Sequence, residues 1–163
     1  MGKKQVAAYP FRPKSTAELE PGQFWSVPLP DGRFACGRVL QMNGSQIPVK
    51  SRAFFGGLLD WIDACPPTTD SIAKKSVLDC GVMHIRAITN LGGEVLGQRS
   101  LESDLIKLPT LLSAMGGDGA MILHGADAVR QARRVEWGKL PELEFWGWNC
   151  IQTIAIARLM PGP

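Results

Sequence analysis

Asp31-Gly32 is the feature that most constrains this chain. It stands between two short apolar runs, and both residue types tolerate positive φ, so the pair predicts a tight β-hairpin turn. A strand is expected at about Gln23–Val27, where Phe24, Trp25 and Val27 are good strand formers. Pro28 and Pro30 close it, because proline cannot donate to a ladder. The return strand, Arg33–Leu40, alternates. Ala35, Gly37 and Val39 share one face, and Phe34, Cys36, Arg38 and Leu40 the other. A face of small residues lets a bulky ring or another backbone come close.

The rest of the pattern extends this to an α+β domain: a curved, mainly antiparallel sheet with a few short helices. Residues 1–22, with Pro10, Pro13 and Pro21, read as an irregular basic lead-in, and 23–163 as a single domain. Asn43-Gly44 marks a turn. Residues 53–62 are strongly apolar and fit either a strand or a helix. A short helix is expected over about 70–79, and strands at Gly81–Thr89 and Glu94–Arg99. Leu101, Leu105, Leu108 and Leu112 fall at helical spacing, which Pro109 interrupts. A buried strand is expected around Met121–Leu123, a short helix carrying Ala128, Ala132 and Val135, and a last strand over Cys150–Leu159.

The 163 residues are enough for a core without staples, since a domain near this size buries roughly 70% of its unfolded surface. The net charge of +3 does not indicate nucleic-acid binding, and it is concentrated at the start. Residues 1–50 hold seven Lys or Arg against three Asp or Glu, and Lys3, Lys4, Arg12 and Lys14 read as an exposed arm. The four cysteines, Cys36, Cys65, Cys80 and Cys150, contain no C-x-x-C pair. The N-terminal residues lack the apolar core of a secretion signal, and no run approaches membrane-span length. The expectation is a cytoplasmic protein with reduced, mostly buried thiols and no membrane association.

Catalytic motifs are missing from the sequence. His84 and His124 are the two histidines, and neither has metal-ligand or general-base spacing around it. The Gly-rich stretch from Met115 to Ala120 lacks the Lys-Ser or Lys-Thr of a phosphate loop and reads as a turn. Cys36, between Ala35 and Gly37, reads as a buried thiol rather than a nucleophile. No catalytic, metal or cofactor residue is assigned, and the chain is not expected to be an enzyme. Arg130, Arg133 and Arg134 lie beside Trp137, with Glu136, Glu142 and Glu144 offsetting their charge. In Phe145-Trp146-Gly147-Trp148 the two tryptophans would share one side of a strand, as a core wall or as a contact patch. Tryptophan and arginine are enriched in binding hot spots. Trp146, Trp148 and Arg134 are therefore the candidate partner-binding residues.

The stretch from Pro21 to Leu40 resembles the opening of the immunity protein 26 family of bacterial polymorphic toxin systems. That family begins with a Gly-x-Phe strand, then Ile/Val-Pro-Leu-Pro-Asp-Gly, an aromatic residue and Gly-Arg-Val. The matching residues are Gly22, Phe24, Val27, Pro28, Leu29, Asp31, Gly32, Phe34, Gly37, Arg38 and Val39. The resemblance implies an immunity protein that binds and neutralises a cognate toxin domain by stoichiometric contact. Two rival readings stand beside it: a small β-barrel-like nucleic-acid-binding protein, for which the charge is weak, and an enzyme with a dispersed site.

Overall fold

In the computed structural model, which describes residues 8–113 and 119–162, the hairpin forms where the turn signal places it. Strand β1 (Gln23–Pro28) pairs antiparallel with β2 (Phe34–Gln41), Phe24 opposite Arg38 and Pro28 opposite Phe34. The turn is closed by Gly32 N–H donating to the Leu29 carbonyl at 3.1 Å and Leu29 N–H donating to Arg33 at 2.9 Å. Gly32 has φ +85°, whereas Asp31 stays out of the left-handed region and acts through its carboxylate. That carboxylate accepts from the Arg33 N–H at 3.0 Å and from the Arg33 guanidinium at 2.6 Å.

The small-residue face of β2 is filled by one ring. Trp25 lies directly opposite Gly37, and its indole occupies the space a Cβ on Gly37 would need. The ring meets Phe54 edge-on, with centroids 5.7 Å apart and planes at 82°. Phe54 belongs to β3 (Ala53–Asp63), so the apolar run at 53–62 is a strand.

Strand β4 (Val77–His84) begins earlier and ends earlier than the pattern indicated, and a helical turn, α1 (Arg86–Thr89), follows it. The helix expected over 70–79 is absent. Thr68 and Ser71 cap a single turn reciprocally, Thr68 N–H to Ser71 Oγ at 2.8 Å and Ser71 N–H to Thr68 Oγ1 at 3.1 Å. Lys74, at φ +60°, then ends it. The leucine pattern at 101–112 likewise gives one short 3-10 turn, Glu102–Asp104, which Leu105 stops at φ +59°. Strand β5 (Val95–Gln98) precedes this turn and β6 (Thr110–Leu112) follows it.

Strand β7 (Met121–His124) forms as expected, but the helix expected around Ala128 is strand β8 (Asp127–Gln131) and a 3-10 turn at Arg134–Glu136. The cause is a two-residue turn, Gly125-Ala126, with Gly125 at φ +61°, which folds β8 straight back onto β7. The last elements are β9 (Phe145–Trp146) and α2 (Cys150–Leu159), a helix where a strand was expected. Ile151 and Ala155 are buried at i,i+4 spacing, so tertiary burial selects the helical period over the local alternation of isoleucines.

The main sheet has the order β5-β1-β2-β3-β4-β9, antiparallel except for the β4–β9 pair. Register breaks between β1 and β5, β2 and β3, and β3 and β4 curve it. A second sheet has the order β6-β7-β8. Both faces of the main sheet are buried. On one, Trp25, Val27, Phe54, Met83 and Trp146 pack with Ile88, Ile151 and Ala155 from the helices. On the other, Leu40, Phe55 and Val82 pack against Leu111 and Leu123 of the second sheet.

The lead-in from residue 8 onward is pinned to this framework. Phe11 exchanges two backbone hydrogen bonds with Val95, at 3.1 and 2.8 Å, and the exposed Arg12 donates to the Thr89 carbonyl at 3.1 Å. Lys3, Lys4 and the expected turn at 115–118 lie outside the described residues.

Candidate interaction surface

Arg38, the arginine of the Gly-Arg-Val segment, is wholly buried on the face of β2 opposite Trp25. An unpaired guanidinium there would cost several kcal/mol, and the chain supplies an acceptor to each of its three nitrogens. Arg38 Nη1 pairs with Asp104 Oδ2 at 2.6 Å, Nη2 donates to the Arg99 carbonyl, and Nε donates to the Gly22 carbonyl at 3.4 Å. Asp104 has further partners. Its Oδ1 accepts from Arg99 Nε at 2.7 Å and from the Lys74 N–H at 2.8 Å. Burial pushes the Asp104 carboxyl up, but the Lys74 N–H and the two guanidiniums outweigh it and hold it below the usual carboxylate range. The node ties β1, β2 and the end of β5 to the 3-10 turn and the capped turn. The sequence indicated that Arg38 matters but not for what. Its partner is 66 residues away, and no local pattern reveals that distance.

The Asp104 node forms the wall of a cavity of about 380 Å³ lined by Lys74, Ser76, Val77, Asp104, Leu105, Ile106 and Lys107. Lys74 and Leu105, both in left-handed conformation, are among its lining residues. Leu105 is 77% exposed.

The three residues picked out from the sequence are not equivalent. Trp146 is core: it is 6% exposed, its ring covers Gly81, and its indole N–H donates to Glu144 Oε2 at 2.8 Å. Trp148, 40% exposed, lies past the end of β9 in the turn where the Gly147 carbonyl accepts from Cys150 N–H. The expected sharing of one side is therefore broken, because the strand ends at Trp146. Arg134 is exposed, with its guanidinium 5.8 Å from the centre of the Trp137 ring. The neighbouring Arg130 and Arg133 are committed to Glu136, at 2.5 and 3.6 Å. The Arg130 hydrogen bond, the largest cause, lowers the Glu136 pKa to about 2.

His84 and the cysteines singled out from the sequence have the following surroundings. His84 Nδ1 accepts from the Arg86 N–H at 3.1 Å, and burial, with Arg86 and Arg52, lowers its pKa. Cys36 is buried, which pushes its thiol strongly upward, and burial raises Cys80 to about 11. All four cysteines are free. Among the described residues no group of three or more His, Cys, Asp or Glu is placed to hold a metal ion, and no helix is long and apolar enough to cross a membrane.

The immunity protein 26 family matches residues 20–116, a stretch that contains β1 through β6 and the Arg38–Asp104 node. No curated protein and no solved structure matches the chain. The match covers more than half of the 163 residues and contains the hairpin, the buried arginine and its aspartate, and on that basis the chain belongs to the immunity protein 26 family.

Proposed function

We propose that this protein is a cytoplasmic immunity protein that neutralises a cognate bacterial toxin domain by stoichiometric binding, without catalysis. Family membership over residues 20–116 carries the reading. Trp148 and Arg134 remain the proposed contacts from the sequence pattern, as an exposed indole and an exposed guanidinium of the kind that anchor interfaces. Trp146 acts indirectly, by supporting the strand from which Trp148 emerges. Tight inhibition needs an interface near the standard total of about 1,600 Å², so these two residues would be anchors within a larger contact.

The test is co-expression with the toxin domain encoded beside this gene, followed by titration of the purified pair. Protection of cells should track formation of a 1:1 complex. Absence of a neighbouring toxin, or of association at micromolar concentration, would refute the reading. Salt-sensitive binding to single-stranded DNA would move the nucleic-acid alternative ahead.

A further inference from the structure

We infer that the cavity between the capped turn at Lys74 and the 3-10 turn at Asp104 is the pocket in which this protein holds a carboxylate side chain of its toxin. The inference rests on the toxin-binding reading above and names the chemistry of one contact within it.

Charge is the first support. The cavity is lined by two exposed lysines, Lys74 and Lys107, and one carboxylate, Asp104. Neither lysine side chain has an ion-pair or hydrogen-bond partner among the described residues. Asp104 does not compensate them, because both its oxygens are taken by Arg38, Arg99 and the Lys74 N–H, and Arg38 and Arg99 bring two positive charges to its one. The cavity therefore presents uncompensated positive charge. An acidic side chain entering it would meet two ammonium donors with no like charge left unpaired.

Shape and rigidity are the second. A concave, partly open site of about 380 Å³ is at the small end of ligand pockets and has room for an entering acidic side chain. Its rims are held in place. Lys74 and Leu105 both have φ near +60°, a conformation uncommon among non-glycine residues. Here the Asp104 node imposes it, through the Lys74 N–H on one side and the Asp104 backbone next to Leu105 on the other. Leu105 thus stands exposed on the rim as an apolar contact beside the charged pocket. The buried Arg38 acts as a positioning residue for this site: its role is to set the distance between the two rims.

The experiment uses the full chain and the toxin domain encoded beside its gene, with binding followed by calorimetry and protection by growth. Lys74→Glu with Lys107→Glu reverses the pocket charge on exposed residues, and Leu105→Gly removes the apolar rim while relieving its backbone. Lys14→Glu with Lys139→Glu is the control of equal charge change elsewhere. The expected result is a loss of about 100-fold in affinity for the pocket double variant and about tenfold for Leu105→Gly, with the control within threefold and all melting curves near wild type. A pocket double variant that binds within tenfold of wild type while wild type binds tightly overturns the pocket and leaves the immunity reading standing. So does a loss seen only on Trp148→Ala or Arg134→Ala. Wild type that fails to bind the toxin overturns both. Binding of a 30-nucleotide single-stranded DNA that is lost on pocket reversal overturns the toxin carboxylate in favour of a phosphate.

Discussion

Arg38 and Asp104 form an ion pair of 2.6 Å in which neither side chain is exposed to solvent. Such a pair owes its stability to completeness. With Arg99, Lys74 and the Gly22 and Arg99 carbonyls in place, every nitrogen of the guanidinium and both carboxylate oxygens have a hydrogen-bond partner. Arg38→Met leaves the buried Asp104 Oδ2 without its partner, and Asp104→Asn removes the counter-charge of the buried Arg38. Each should lower unfolding free energy by about 3–5 kcal/mol, read from urea denaturation. The cost of the pair Arg38→Met with Asp104→Leu should fall well short of the sum of the singles.

The same carboxyl sets an acid limit. Its folded pKa is depressed, so its contribution is fully present above the unfolded value, about 3.9, and is lost as pH falls through the lower folded value. Wild type and Asp104→Asn should therefore differ in stability most above about pH 5 and converge toward pH 2. Denaturant midpoints across that range measure it, and a constant difference would place the loss in packing rather than in charge.

Gly37→Ala puts a methyl group where the Trp25 indole lies, and Gly37→Leu puts in more. The cost should be about 1–3 kcal/mol for alanine and larger for leucine. In a Trp25→Leu background the alanine penalty should shrink, so that the double mutant costs less than the sum of the singles. A Gly37→Leu protein that melts at the wild-type temperature would show that the ring is not seated there.

The two tryptophans of the C-terminal segment should separate by assay. Trp146→Ala empties the space over Gly81 and leaves Glu144 without its indole donor, and should cost about 3–5 kcal/mol. Trp148→Ala should stay within about 0.5 kcal/mol of wild type in stability and weaken toxin binding instead.

Thiol reactivity should rank by burial. Under native conditions iodoacetamide should modify Cys65 first, Cys150 and Cys80 more slowly, and Cys36 only after unfolding, when all four react. Intact-mass spectra over time give the order, and a protein that stays short of four labels after unfolding would contain a disulfide.

What the sequence disclosed follows from the range of the forces involved. The Asp31-Gly32 turn, the small-residue stripe of β2 and the strand at Met121 are determined by neighbours in sequence, and they are legible there. Segments whose identity depends on distant partners are not. Cys150–Leu159 alternates like a strand but turns helical because Ile151 and Ala155 meet the face of the main sheet. Residues 127–131 have helical spacing but pair with β7. For the candidate site, the basic and aromatic character of Arg134 and Trp148 was visible, but burial assigns Trp146 to the core. The Lys74–Asp104–Lys107 cavity was invisible, because Lys74 and Asp104 are brought together by a long-range hydrogen bond between segments that show no motif of their own.

Gly81 lies inside the family-matched stretch, whereas Trp146, whose ring covers it, lies outside. Leu123, Ile151 and Ala155 also come from beyond the match and complete cores begun within it. The family-matched stretch of this protein is therefore an unfinished vessel, and its own tail is the stopper. A chain cut where the match ends would carry every signature of its family and still present two uncovered apolar faces to water, which is the profile of a polypeptide that precipitates or is degraded.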